Sequence, residues 1–157
     1  MAIRGSKGSK NIGGALAKIR DRTRGFDKLE VRIGVQEGQQ YEDGTPVAYV
    51  AAIHEYGAPE VGIPPRPFLR TTLDQKRKEW TDQMLDGVEA VMHGAASVDQ
   101  ALEMIGTGAA GDVKKTISEI DSPPLKQATI ARKGHAKPLV ETGLLLQSIT
   151  SKVEEKS

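Results

Sequence analysis

Three patterns in the sequence predict an α+β domain: a small antiparallel sheet packed with a long helical hairpin and short helices. Residues 29–36, Leu-Glu-Val-Arg-Ile-Gly-Val-Gln, alternate apolar and polar with period two and are rich in branched side chains, the mark of a strand. Two long stretches, about 67–92 and 97–120, carry apolar residues at helical spacing across a short joint. Residues 149–153 then alternate again, which predicts a last strand before the charged end.

The remaining elements follow in chain order. Residues 1–10 are rich in Gly, Ser and Lys and read as a disordered start. From Asn11, a cap candidate, Ile12, Leu16 and Ile19 recur at helical spacing and predict a short basic helix to about Thr23. Residues 1–28 thus form a basic arm and residues 29–157 a single α+β domain. Thr45 and Pro46 read as a helix cap and first-turn proline. Val47, Val50, Ile53 and His54 mark that helix's face, and Gly57 can end it in a left-handed conformation.

Residues 58–67 hold four of the eight prolines and exclude regular helix or central strand. Beyond them Leu69, Leu73, Trp80, Met84, Val88 and Val91 form the stripe of the first long helix. Ser97 opens the second, with Asp99 and Gln100 in its first turn. Val98, Leu102, Ile105, Ala109, Val113, Ile117 and Ile120 form its stripe. Residues 125–138 read as a basic loop without acids, and Thr142-Gly143 as the cap of a last short helix through Leu144, Leu145 and Ile149.

Composition narrows the functional classes. The chain has 157 residues, 38% of them hydrophobic, enough to bury one core. Lys+Arg 22 against Asp+Glu 21 gives a net charge of +1, so no strong global field draws it to nucleic acid or an acidic membrane. The charge is uneven: residues 1–28 sum to +6 and the other 129 to −5. Without cysteine there is no disulfide framework, thiolate zinc site or cysteine nucleophile. The N-terminus lacks the apolar stretch of a signal peptide, and the longest apolar run, 47–53, is too short to span a bilayer. A soluble, intracellularly made protein with no membrane partner is the expectation.

No catalytic, cofactor or metal constellation emerges. Gly106-Thr-Gly108-Ala-Ala-Gly111 matches the dinucleotide pattern literally, but its flanks are helical and the position where the acid belongs is Ala131. Close helix packing or a helix break explains these small residues better. His54-Glu55 suggests a zinc helix, yet position 58 is Ala, so the second ligand is missing. The three histidines fall on separate segments, and the acids show no paired-carboxylate signature. The expectation is a protein that is not an enzyme, with no cofactor and no metal.

Two phrases point further. Tyr49-Val-Ala-Ala-Ile-His-Glu-Tyr-Gly57 with Ile63-Pro-Pro-Arg-Pro-Phe-Leu69 resembles the "YAAIHEFG … IPARPFL" signature of tailed-phage neck proteins. Ala128-Thr-Ile-Ala-Arg-Lys-Gly134 and Pro138-Leu-Val-Glu-Thr-Gly143 with Ser148-Ile149 resemble the same family's "TIxRKG … PLVDTGxLxxSI". These are virion morphogenesis, minor tail or tail-completion proteins that join head to tail. In many relatives the second phrase comes first, so the order here is reversed, as in a circular permutation or a distinct branch. A permuted chain would pair residues 149–153 with residues 29–36 across the sequence ends.

The resemblance implies a structural virion protein of the neck, made and assembled in the bacterial host cytoplasm. It implies a homo-oligomeric ring of roughly six or twelve copies, touching other neck and tail proteins and packaged DNA. Arg66, held between prolines, could then make a bidentate contact with a carboxylate of a neighbouring subunit. His54, Glu55, Tyr56, Arg66 and Phe68 are the candidate subunit-interface residues. An equally weighted reading has 63–69 only orienting the long helix, with Phe68 and Leu69 as core plugs. Lys7, Lys10, Lys126, Arg132, Lys133 and Lys137 are the candidate DNA-facing residues. The alternatives are a tail terminator or connector adaptor of the same neck, or a small DNA-binding protein using its basic arm.

Overall fold

The computed structural model describes residues 7–124, 127, 130–131 and 143–156. Helix α1 spans Lys7–Thr23 and runs into a 3-10 turn, Arg24–Asp27. Strand β1 is Leu29–Val35, helix α2 Val47–Tyr56, and a second 3-10 turn Pro59–Val61. Two long helices follow, α3 over Phe68–His93 and α4 over Val98–Glu119. A short helix α5, Leu144–Ser148, leads directly into strand β2, Ile149–Glu155.

The two strands come from opposite ends of the domain and pair antiparallel, Leu29 with Glu155 through to Val35 with Ile149. The expected pairing across the sequence ends is present, and β2 runs two residues further than its alternation suggests. Only these two strands form the sheet among the described residues. Helix α4 crosses beneath both of them. Gly106 makes this approach possible: a Cβ there would lie 2.6 Å from Val31 Cγ2 and 2.8 Å from Ser151 Cβ. Helix α4 runs unbroken through the Gly-x-Gly-x-x-Gly stretch, and Gly111 has open space where a side chain would go.

Helices α3 and α4 pack antiparallel, turned by Gly94 in the left-handed region (φ 77°) and restarted by a capping box. Ser97 Oγ accepts from Gln100 N (3.2 Å), and Gln100 Oε1 accepts from Ser97 N (2.9 Å). The α4 stripe is buried as its spacing predicts, save Ile120, which is half-buried. The α3 stripe differs. Leu73 is 41% exposed, while Thr72 turns inward beside Phe68. The Thr72 hydroxyl donates to the Phe68 carbonyl (2.7 Å) and meets the Thr116 hydroxyl on α4 (2.7 Å), so its burial leaves no polar group unpaired.

One core gathers Val47, Ala51, Phe68, Ala110, Val113, Ile117, Leu145 and Ile149 between α2, the start of α3, α4, α5 and the sheet. A second joins Val91, Val98, Ala101 and Leu102 at the hairpin's turn, with Phe26, Leu29 and Val31 against it.

Two helix starts depart from the sequence reading. Helix α1 begins at Lys7, not Asn11, because extending an existing helix by one turn costs far less than nucleating it. Helix α2 takes Pro46, not Thr45, at its cap position and has no side-chain cap. Thr45 N instead donates to Asp43 Oδ1 (2.9 Å), closing the turn before the helix.

Candidate functional site

The first quoted phrase folds into the joint between α2 and α3. Gly57 ends α2 with φ 78° and ψ 171°, positive as expected but extended rather than left-handed helical. A side chain there would meet Pro65 N at 2.9 Å and Ile63 O at 3.0 Å. The chain then makes a small loop closed by Ala58 and Ile63, whose N–H groups donate to each other's carbonyls (2.9 and 3.0 Å). Arg66 N donates to the His54 carbonyl (2.6 Å), which draws the proline-rich segment back along α2.

Helix α3 starts after Pro67 with no cap from its own side chains. Glu55, at the end of α2, supplies one. Its Oε2 accepts from Leu69 N (2.9 Å), and its Oε1 accepts from Arg70 N (3.1 Å) and Arg70 Nε (2.9 Å). Arg70 Nη2 also donates to the Glu55 carbonyl (2.6 Å). The first N–H groups of a helix have no partner inside it and carry partial positive charge, so a buried carboxylate there is matched in both hydrogen bonding and field. The Arg70 guanidinium lies 5.0 Å from the Tyr56 ring centre, a cation–π contact that completes the joint.

Arg66 is 3% exposed and points away from this cluster. Its Nε donates to the Pro123 carbonyl (2.9 Å) and its Nη2 to the Pro124 carbonyl (3.4 Å). Burial pushes its guanidinium below the ordinary value, and no carboxylate pairs with it among the described residues. Two proline-rich segments, 63–67 and 123–124, are thereby tied together through one side chain.

Three of the candidate interface residues lie inside the chain. Glu55 (3% exposed), Arg66 (3%) and Phe68 (0%) are turned inward and held by their own chain. Residues 63–69 orient the long helix, with Phe68 as the core plug. Tyr56 stays 68% exposed, and His54 is half-buried. Lys7 and Lys10 lie at the start of α1. Lys126, Arg132, Lys133 and Lys137 fall outside the described residues, as do most of the expected basic loop and the Thr142 cap.

Sequence reasoning did not pick out Arg70, whose distance from Glu55 in sequence hides the pair. The missing signal was a need: a helix opening on Pro-Phe-Leu without a capping side chain requires an acid from elsewhere. It also missed the polar ladder on the hairpin. There Trp80 Nε1 donates to Asp112 Oδ2 (2.8 Å), and Lys76 lies 3.6 Å from Asp112 Oδ1.

Chemically the joint is a clamp. The Glu55 carboxylate already accepts three N–H groups, and Arg66 Nε and Nη2 end on carbonyl oxygens. Among the described residues no group of His, Asp or Glu could hold a metal ion, and no helix is long and apolar enough to cross a membrane. No family model, curated protein or solved structure gives a significant match to the chain.

Proposed function

We propose that this chain is a structural protein of the tailed-phage neck, of the tail-completion or head–tail joining type. It assembles as a ring between the DNA-filled head and the tail, alongside other neck and tail proteins. The reading starts from the two phrases that resemble the family. The observation that carries it is the pairing of β1 with β2. That ladder joins the strand leading into the first phrase to the strand following Ser148-Ile149 of the second. The reversed phrases thus meet in one compact unit, as a permuted relative requires. The clamp adds a physical rationale, because the His-Glu-Tyr-Gly and Arg-Pro-Phe-Leu parts of the first phrase are each other's partners through Glu55 and the α3 N-terminus.

The test is copy number in purified virions, by quantitative peptide mass spectrometry calibrated on the portal protein. A small ring-like ratio to the portal supports the neck assignment. Absence from particles that contain portal and tail overturns it. A tail terminator or connector adaptor would give a similar ratio and is separated by which neighbours crosslink to the chain. The basic arm favours one further reading, a DNA-binding protein, since α1 carries Arg20 and Arg22 in its last turn. Steeply salt-dependent binding of duplex DNA by the free protein would support that alternative.

A further inference from the structure

Among the described residues the two-stranded sheet leaves an edge open on each strand, and the register tells which backbone groups face outward. Lys156 N donates to the Lys28 carbonyl (2.8 Å) and Gln36 N to the Ser148 carbonyl (3.4 Å). These contacts place the even-numbered residues of β1 in the hydrogen-bonded pairs of the ladder. The N–H and C=O groups of Leu29, Val31, Ile33 and Val35 therefore point away from β2. Among the described residues no side chain or loop bonds to them. All four residues are aliphatic and half-buried, with Val31 against α4 at Gly106. A row of unpaired backbone groups beside apolar side chains is a template for another strand. At the corresponding outward positions β2 carries Ile149, Ser151, Val153 and Glu155, so only two of its four are aliphatic, against four of four on β1.

The opposite face of β1 carries charge. Arg32 lies between Glu30 (2.7 Å) and Glu154 (2.8 Å), with its side chain 58% exposed. An antiparallel copy of β1 centred on Val31 sets Glu30 opposite Arg32 of the partner subunit, and Arg32 opposite the partner's Glu30. The same register sets Leu29 opposite Ile33 of the partner subunit and the two Val31 residues together. Centring on Arg32 would oppose two like charges, so charge selects the first register.

We infer that the open edge of β1 pairs antiparallel with the same edge of a second copy of this chain, in the register centred on Val31. The contact is isologous and closes on itself, so it makes a pair and does not rest on the neck reading. In a ring, such pairs would be joined through other surfaces.

The experiment uses the full-length chain. Sedimentation over a wide concentration range should show a monomer–dimer equilibrium. Hydrogen exchange should slow at the amides of Leu29, Val31 and Ile33 as the dimer fills, while those of Ser151 and Val153 do not change. Glu30→Arg and Arg32→Glu each place like charges opposite at two symmetric points, and each should weaken the dimer by at least about tenfold. Mixing the two variants restores both charge pairs and should restore association as a heterodimer. Circular dichroism checks that each variant is folded, and the exchange measurement on the unaltered chain decides the matter if one is not. A chain that stays monomeric, a dimer whose β1 amides remain unprotected, protection that includes the β2 edge, or folded variants that fail to rescue each other would overturn the inference.

Discussion

Glu55 is where one side chain carries the most structure. Replacing it with Ala leaves the Leu69 and Arg70 N–H groups without their acceptor at a buried helix start and removes the partner of Arg70. The expected cost is about 2–4 kcal/mol, read as a lower urea midpoint at unchanged slope. Glu55→Gln keeps an acceptor but not the charge and should cost about half as much. Equal stability of Glu55→Ala and the unaltered protein would show that the clamp contributes nothing. At Gly106 the direction of the argument is reversed, because adding atoms is what harms. Gly106→Ala drives a methyl into Val31 and Ser151 and should destabilise by about 1–3 kcal/mol. Gly111→Ala, in the same helix with open space, should instead stabilise by about 0.5–1 kcal/mol. Thermal melts of the pair test this, and the same sign for both would contradict the packing assigned to Gly106.

At the scale of elements, the caps and turns divide into local and borrowed ones. Helix α4 brings its own capping box, so Ser97→Ala should cost about 1 kcal/mol, seen in the same denaturation assay. The turn before α2 depends on Asp43, whose carboxyl is held below its usual range by the Thr45 N–H. A carboxyl lowered on folding contributes stability above its unfolded value, and that contribution is lost as pH falls through the folded value. Asp43→Asn should therefore lower stability slightly at neutral pH, flatten the acid limb of the stability curve and leave strongly acid conditions nearly unaffected. An NMR titration of the Asp43 carboxyl gives the direct check. Capping and helical stripes were legible in the sequence here because their partners lie within one or two turns. The inward turn of Thr72 and the exposure of Leu73 were not, since helical spacing alone cannot say which side of a stripe a neighbouring helix will cover.

Across the whole molecule, the two strands lie at opposite ends of the domain, so closing the sheet links the start of the fold to its finish. Deleting residues 150–157 should therefore expose the α4 surface around Gly106 and abolish cooperative unfolding, not merely trim a tail. A truncated chain that still melts cooperatively near the original temperature would show that the sheet is dispensable. Helix α1 is different: its Ile12 and Leu16 are 63% and 61% exposed, although Arg22 reaches the Met92 carbonyl (3.0 Å). Removing residues 1–23 should leave the remaining domain folded.

By itself the sequence determined which segments become helix or strand. Periodicity, proline placement and capping are local properties that need no knowledge of the rest of the chain. It also predicted that residues 29–36 and 149–153 would pair, through the reversed order of two phrases. The tertiary structure decided the fate of the candidate interface residues. Glu55, Arg66 and Phe68 lie at the end of α2, in the proline-rich segment and at the start of α3, yet all three are buried because their partners come from α3, from residues 123–124 and from the core. The free edge of β1 was likewise decided only by the ladder's register. Which backbone groups face outward depends on which residues hydrogen-bond across the sheet, and that parity appears only once the two ends of the chain have met.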